Sequence, residues 1–380
     1  MKIILNCNIG CGIINKKYIP ERKVCLNKVK RKNEIAFINV ILCMMVIFIH
    51  TASELITKQE IGSAGYIAAF IPWRISSFAV HGFIFLSGLK LNLKNEIKYV
   101  SFYLKRVTTV IIPYIIWVAA YYIYFCVNHY FEFDISELGG YIIRGDLSAH
   151  FYFVVVIVQF YLLFPLWRKL FKTLPPSAVL PVAAMITIAS QMYITDAVSK
   201  YIGIQLPDFT DKVFTSYLFD WAVGCYCGLY YDKFVSGLKS HRKAVYISAA
   251  ILTLLDLTIF YESEKTGQLM PWLAYVHMLF SVSATIALYD AALHLAKKQD
   301  IIITLVDRGS YYIYLSHSLV ITYLINCMNT VQAVDSLFRR FLIVAAGAYL
   351  MPIVVCSLYA NIKSFIKTSL SSRRIERTGD

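Results

Sequence analysis

Long apolar runs separated by short polar links make up most of the chain between residues 34 and 366. A helix needs about 20 mostly apolar residues to cross the hydrocarbon core of a bilayer. The pattern predicts an all-α polytopic membrane protein with about ten transmembrane helices, of which the fifth is the weakest. The predicted segments are 35–55, 68–91, 109–128, 151–171, 177–195, 214–231, 244–261, 271–294, 309–328 and 338–363.

The links between these segments alternate in charge. Residues 90–106 carry five lysines or arginines and one glutamate, whereas residues 129–150 carry four acidic residues and one arginine. Cytoplasmic loops are enriched in lysine and arginine. We therefore expect both termini to be cytoplasmic, although the alternation blurs at 297–308. The predicted domains are a basic cytoplasmic tail (1–33), a transmembrane domain (34–366) and a second basic tail (367–380).

Composition agrees with a multi-pass protein of the cell membrane. The mean hydropathy is +0.59 and only 16% of residues are charged, against roughly a quarter in soluble domains. The net charge of +14 is accounted for by topology, so we expect no nucleic-acid partner. Nine cysteines are present, but their spacing resembles no metal site, and free thiols without a bound metal are expected. The N-terminal stretch is a poor signal peptide.

One polar pair interrupts the first apolar segment. The stretch CMMVIFIHTASE ends its apolar run at His50, and Glu54 follows at i+4 on the same helical face. Such a carboxylate can fix the imidazole tautomer and raise its basicity. The alternative is a boundary histidine beside a loop carboxylate. Five further ionisable residues lie within or beside apolar segments, and they are Asp220, Asp256, His277, Asp290 and His317. Of these five we select His317 as functional.

The second segment carries a polar stripe. Arg74, Ser77, His81 and Gly88 recur at spacings of three, four and seven residues, which places them on one helical face. Polar residues within membrane helices usually face a cavity or pair with another helix. Close helix packing, with Ser87 and Gly88 as small contact residues, is the alternative. The stripes predict a polar interior, which an enzyme and a transporter would share.

Four blocks in order resemble the acyltransferase-3 family of integral-membrane O-acyltransferases, which modify cell-surface polysaccharides. They are NEIAFINVILCMMVIFIH, FIFLSGLKL, the pair YLKRVTTVIIPYIIW and AHFYFVVVIVQFYLLFPL, and GSYYIYLSHSLVI. The resemblance spans about residues 34 to 365 and includes the ten-helix count.

The resemblance implies that His50 is the essential histidine. The family pattern has an arginine eleven residues earlier, three turns plus about 20° around the helix. Asn39 occupies that position here, and an amide cannot supply a fixed positive charge. The basic pair before the third helix is also incomplete, since Thr109 stands where a second arginine is common, while Lys105 and Arg106 remain.

By analogy with the family, we expect an acyl-coenzyme A co-substrate on the cytoplasmic side, no permanently bound cofactor, and a glycan or glycolipid acceptor on the outer side. His50 would act as general base, helped by Glu54, or would carry the acyl group transiently. The expected donor-binding residues are Asn39, Lys90, Lys105 and Arg106. The expected acceptor-binding residues are Arg74, His81, Ser87, His150, Ser316 and His317.

Two other functions stay open. The chain could export a lipid-linked sugar or polysaccharide, with polar helix faces lining a path, although no inverted repeat is visible. A catalytically inactive sensor or scaffold is the third hypothesis, and Asn39 favours it. The acyl group (acetyl or succinyl class), the acceptor and the oligomeric state are not determined by the sequence.

Overall fold

The structure is a computed structural model that describes residues 32–94, 96–202, 209–298, 300–331 and 336–377, with side chains as far as Ser364. The predicted tail at 1–33 lies almost entirely outside these residues. The described chain is helical and contains no strand. Its α-helices are α1 (Asn33–Lys58), α2 (Ala64–Ser76), α3 (Ala79–Asn92), α4 (Tyr99–Arg106), α5 (Ile112–Val127), α6 (Ile135–Arg144), α7 (Tyr152–Leu162), α8 (Phe164–Thr173), α9 (Pro176–Ile202), α10 (Leu218–Leu229), α11 (Tyr231–Thr266), α12 (Leu273–Leu295), α13 (Ile301–Val331) and α14 (Leu337–Arg377).

Short turns of π- or 3₁₀-helix form two of the connections between these helices. A π-helical turn at Val107–Ile111 connects α4 to α5, and short 3₁₀ turns at Phe209–Lys212 and Phe214–Tyr217 precede α10. The predicted boundary at 366 falls within α14, whose backbone continues to Arg377.

In the described residues, seven helical spans are long and apolar enough to cross a membrane: α1, α2 with α3, α4 with α5, α9, α11, α12 and α14. The bent pair α7–α8 makes an eighth if it forms one span. The predicted segment 214–231 contains α10, which has only 12 residues. The segment 309–328 lies within α13, a helix of 31 residues in which Ser316 and His317 interrupt the apolar run. The protein is thus an all-α multi-pass membrane protein, while ten crossings and cytoplasmic termini stay predictions.

The second predicted segment is broken in the middle. Ser63 caps the start of α2 by accepting a hydrogen bond from the Tyr66 amide, and Pro72 lies inside that helix. The chain leaves regular helix at Ser77 and Phe78 before α3 begins. Ser77 and Phe78 keep right-handed helical dihedrals, and α2 and α3 together still form one candidate span, Ala64–Asn92.

Helix α1 is central, since it packs against α2, α3, α12, α13 and α14. Helices α3 and α10 approach until their backbones touch. A Cβ atom on Gly224 would lie only 2.2 Å from the Phe85 carbonyl oxygen, so this crossing requires glycine. Small residues permit such close helix contacts in membranes. Nearby, Trp221 stacks on Phe160 with 4.5 Å between ring centroids, and both are fully buried.

Candidate functional site

A cavity of about 400 Å³ opens beside His50. Helices α1, α3, α7 and α13 and the loop after α6 form its walls. We call it the histidine cavity. Its lining residues are Val46, Ile49, His50, Ser77, Val80, Gly145, Asp146, Ser148, Ala149, His150, Tyr152, Asp211, Lys212 and Tyr314.

Three imidazole rings meet at this cavity. The His50 ring centroid lies 5.2 Å from that of His317 and 5.9 Å from that of His150, which are themselves 4.8 Å apart. His150 and His317 are almost completely buried, at 2% and 0% exposure. The Nε2 atoms of both are buried without a hydrogen-bond partner. Buried polar atoms are normally satisfied, so two unpaired ring nitrogens close to a cavity are candidates for contact with a ligand.

The tautomer of His317 follows from its surroundings. Its Nδ1 lies 2.7 Å from the Tyr314 carbonyl oxygen, which can only accept, so Nδ1 carries the proton. In the neutral ring Nε2 is then a proton acceptor. Tyr121 reinforces this geometry, because its buried hydroxyl donates to the Leu315 carbonyl at 3.0 Å and accepts from the Leu319 amide at 2.7 Å. The hydroxyl thus inserts into the hydrogen-bond ladder of α13 beside His317.

His150 is held by the loop between α6 and α7. Gly145 ends α6 in the left-handed region at φ 66°, and a Cβ there would lie 2.7 Å from a Val155 methyl carbon. Ser148 Oγ lies 3.1 Å from His150 Nδ1. Burial lowers the pKa of His150 well below its ordinary value, and the nearby His317 and His50 rings lower that pKa further. The His150 imidazole is therefore neutral at pH 7.

Charged side chains surround the mouth of the histidine cavity. Asp146 accepts from Arg144 Nε at 2.8 Å and lies 3.8 Å from Lys212 Nζ. Asp146, Asp211 and Lys212 all line the cavity. This rim offers both hydrogen-bond donors and acceptors, which suits a ligand with many hydroxyl groups.

A second cavity of about 240 Å³ contains the side chain of Arg106, and we call it the arginine cavity. It lies where α1, α3, α7, α13 and the π-helical turn meet. Its lining residues are Asn39, Phe83, Ser87, Arg106, Thr109, Val110, Phe153, Ile157, Tyr161, Ser310, Tyr311 and Tyr314. The Arg106 guanidinium lies 4.4 Å above the Tyr161 ring, and its Nε is buried without a partner. A buried donor of this kind fits an anionic ligand.

Asn39 lies in the arginine cavity at the centre of a polar network. Its amide nitrogen donates to Asp307 Oδ1 at 2.7 Å and to Ser310 Oγ at 2.8 Å. Lys90 Nζ donates to the Asn39 carbonyl oxygen at 3.2 Å. Lys90 therefore brings a positive charge to the position where the family pattern has arginine.

The arginine cavity thus brings together three predicted residues, Asn39, Ser87 and Arg106, with Lys90 one hydrogen bond away. Lys105 lies on the exposed side of α4 and is absent from the lining. Ser316 Oγ points to the Ile313 carbonyl and to Cys356 Sγ, 3.3 and 3.5 Å away. The roles assigned to these residues stay predictions.

Glu54 has cationic partners. Its carboxylate accepts from Lys58 Nζ at 2.6 Å and lies 3.1 Å from Arg340 Nη2. Among the described residues, no hydrogen bond joins Glu54 to His50. That Glu54 raises the basicity of the His50 imidazole stays a prediction. The contacts of Glu54 favour a structural role, in which an ion pair links α1 to α14.

Arg74 and His81 lie in a separate buried group, which we call the paired cluster. Arg74 binds Asp256 through two hydrogen bonds of 2.7 and 2.8 Å and also contacts His277 Nδ1 at 2.8 Å. His81 Nδ1 lies 2.8 Å from Asp220 Oδ2. Neither Arg74 nor His81 lines the histidine cavity, and their binding of the acceptor stays a prediction.

Sequence reasoning missed Tyr314, Tyr121 and the rim residue Asp146. Tyr314 lies in the quoted GSYYIYLSH block, but tyrosines are so frequent here that no single one stood out. Asp146 looked like an ordinary loop charge. In the described part of the chain, no group of three or more His, Cys, Asp or Glu side chains has a geometry that could hold a metal ion.

Comparison with known proteins identifies the family. Residues 33–361 match the acyltransferase-3 family model, described as an acyltransferase domain. A Bacillus subtilis (strain 168) protein named as the membrane-bound acyltransferase YfiQ is 26% identical over 340 residues, covering 83% of this chain and 88% of the relative. Proteins named as poly-beta-1,6-N-acetyl-D-glucosamine export proteins are similar too. The Staphylococcus epidermidis protein is 21% identical over 300 residues (77% of this chain, 82% of the relative), and the Staphylococcus aureus (strain MRSA252) protein is 22% identical over 301 residues (77% and 83%). No solved structure matches the chain. The chain belongs to the acyltransferase-3 family.

Proposed function

We propose that this member of the acyltransferase-3 family is an O-acyltransferase of the cell membrane. It transfers a short acyl group, of the acetyl or succinyl class, from acyl-coenzyme A to a hydroxyl of a cell-surface glycan. The observation that carries the proposal is the pair of cavities along one face of α1. Asn39 lines one cavity and His50 the other, and eleven residues separate them by about 16 Å along the helix.

The arginine cavity suits the donor. Arg106, whose Nε is buried without a partner, supplies positive charge for a phosphate group through charge-assisted hydrogen bonds. Val110, Ile157 and Phe153 give the same cavity an apolar wall, which suits the less polar acyl end of the donor. The cavity is much smaller than acyl-coenzyme A, so it would hold the acyl end with its thioester, with the phosphate groups outside it on the Arg106 side.

The histidine cavity suits the acceptor. Its rim of Asp146, Asp211 and Lys212 and its serines, Ser77 and Ser148, match the hydroxyl groups of a sugar. His50 is partly exposed, whereas His150 and His317 are buried, so His50 is the most accessible of the three to an acceptor.

In the proposed reaction, His50 takes the proton of the acceptor hydroxyl as its oxygen attacks the thioester carbonyl carbon. The C–O ester bond forms, the C–S bond breaks, and the proton passes to the departing thiolate. His317 Nε2 can accept only from an N–H or O–H group, so it orients either His50 or the attacking hydroxyl.

The test is His50→Ala in membranes supplied with acetyl-coenzyme A and acceptor glycan, with ester formation followed by mass spectrometry. General-base catalysis contributes roughly 10²–10⁴-fold, so we expect a loss of that size with unchanged protein level. His129→Asn is the matched control, because His129 is exposed in a loop and its positive φ of 57° is tolerated by asparagine. Normal acylation by His50→Ala would overturn the role of His50.

Export of a polysaccharide is the second candidate, favoured by the names of the staphylococcal relatives. Surface glycan from a strain lacking the protein separates the two functions. An exported polymer that has lost its O-acyl groups supports the enzyme, and a polymer retained inside the cell supports export.

A further inference from the structure

The histidine and arginine cavities meet at one side chain. Among their lining residues, Tyr314 is the only one that they share. Neighbouring positions on the same helices line different cavities, with Val80 and Phe83 on α3 and Tyr152 and Phe153 on α7. The two cavities are therefore arranged end to end, with Tyr314 between them.

The partition is aromatic. The Tyr314 ring centroid lies 5.6 Å from that of Phe153 and 6.4 Å from that of Phe83, and these two rings are 5.9 Å apart. Three rings from α13, α3 and α7 thus close the passage. Tyr314 itself is only 5% exposed.

Tyr314 is also bonded to two of the histidines. Its hydroxyl donates a hydrogen bond to the His150 carbonyl oxygen, and its own carbonyl accepts from His317 Nδ1. A change in the Tyr314 rotamer breaks only the hydroxyl bond, since the backbone bond to His317 does not depend on the ring. The side chain can therefore move while His317 keeps its tautomer.

We propose that Tyr314 is the gate through which the acyl group passes from the arginine cavity to the histidine cavity. The gate rests on the proposed function and adds how the site keeps water from the acyl donor. With the ring in place, water in the histidine cavity cannot reach a thioester held beside Arg106. The ring moves aside to let the thioester reach the acceptor hydroxyl beside His50, so Tyr314 is a positioning residue that limits attack by water on the thioester carbonyl.

The gate predicts a specific failure. In Tyr314→Ala the two cavities merge, and water adds to the thioester carbonyl in place of the glycan hydroxyl. The C–S bond then breaks to give a carboxylic acid and the thiol. Loss of a water-excluding side chain should raise the ratio of hydrolysis to transfer by about tenfold or more.

The experiment uses the purified full chain with acetyl-coenzyme A, with and without acceptor glycan. Released coenzyme A and acylated glycan are both quantified by liquid chromatography and mass spectrometry, and their ratio is the readout. A residue with a purely structural role would lower both products together and leave the ratio unchanged.

Three variants complete the design. Tyr312→Ala is the matched control, because Tyr312 lies on the same helix but lines neither cavity, and its ratio should stay at the wild-type value. Tyr314→Phe keeps the ring and loses the bond to His150, so its ratio should rise less than that of Tyr314→Ala. Phe83→Ala thins the same partition from α3 and replaces Tyr314→Ala if that variant does not fold.

The outcomes separate the two proposals. A wild-type protein that forms no acylated glycan overturns the proposed function and the gate with it. A wild-type protein that transfers the acyl group, with ratios unchanged in both Tyr314→Ala and Phe83→Ala, overturns the gate alone. A raised ratio in these variants but not in Tyr312→Ala supports the gate.

Discussion

Two of the buried groups of ionisable side chains differ in how completely their polar atoms are paired with hydrogen-bond partners. In the paired cluster, Arg74 is clamped by Asp256 and contacts His277, and His81 binds Asp220. In the paired cluster, Asp220 Oδ1 is the one carboxylate oxygen without a hydrogen-bond partner.

The histidine cavity shows the opposite arrangement. His150 and His317 are as deeply buried, yet their Nε2 atoms have no partner. His150 lines the same cavity as His50, and the His317 ring packs 4.8 Å from that of His150. Burial alone therefore does not separate a site from a structural contact. An unsatisfied polar atom in a membrane interior is costly, and it persists most readily where a ligand completes it.

The most destructive change should be in the paired cluster. Asp256→Ala leaves the Arg74 guanidinium buried without its carboxylate, and breaking such a pair typically costs about 3–5 kcal/mol. We expect loss of most folded protein, measured by size-exclusion chromatography of heated samples. Asp256→Asn keeps hydrogen bonds to Arg74 and should lose less. A melting temperature unchanged in Asp256→Ala would show that Arg74 finds another partner.

In the histidine group, by contrast, we expect a change in activity without a change in folding. His317→Asn keeps a donor for the Tyr314 carbonyl but removes the Nε2 acceptor. Transfer should fall by roughly 100-fold, the lower range for a group that handles a proton, with the melting temperature close to wild type. The matched variant His317→Ala also loses the bond to Tyr314 and should be less stable. Full activity in His317→Asn would remove His317 from the reaction.

The smallest effect is expected at Glu54. Its side chain is 15% exposed and pairs with Lys58 and Arg340, and pairs near the surface contribute about 0.2–1 kcal/mol. Glu54→Gln should lower the melting temperature slightly and leave transfer near wild type. Arg340→Gln, which breaks the same contact from α14, is the control. A large loss of transfer in Glu54→Gln alone would instead support the predicted pairing with His50.

Much of the fold could be predicted because a bilayer imposes a strong length and polarity requirement on each helix. Segment 35–55 corresponds to α1 and segment 271–294 to α12. The break at Ser77 and Phe78 and the short α10 were not predicted, because both depend on contacts with neighbouring helices. Gly224 against the Phe85 backbone is one such contact.

The site was predicted in part. Asn39 and Arg106, far apart in sequence, line one cavity, and His50 and His150 line the other. Ser87, which was expected to bind the acceptor, lies with Asn39 and Arg106 instead, and the roles of all these residues stay predictions. Helical periodicity placed Arg74 and His81 on one face, but periodicity cannot tell which neighbouring helix that face will meet. Asp256 on α11 pairs with Arg74, and Asp220 on α10 pairs with His81.

The sequence by itself determined that this chain is a helical membrane protein of the acyltransferase-3 family, with His50 at the end of its first apolar segment. Apolar length and motif order are local properties, so they can be read without coordinates. Only the tertiary structure decided which polar residues are paired and which face a cavity, and that Tyr314 stands between the two cavities. Pairing and cavity formation depend on which helices pack together, and residues distant in the chain meet only through that packing.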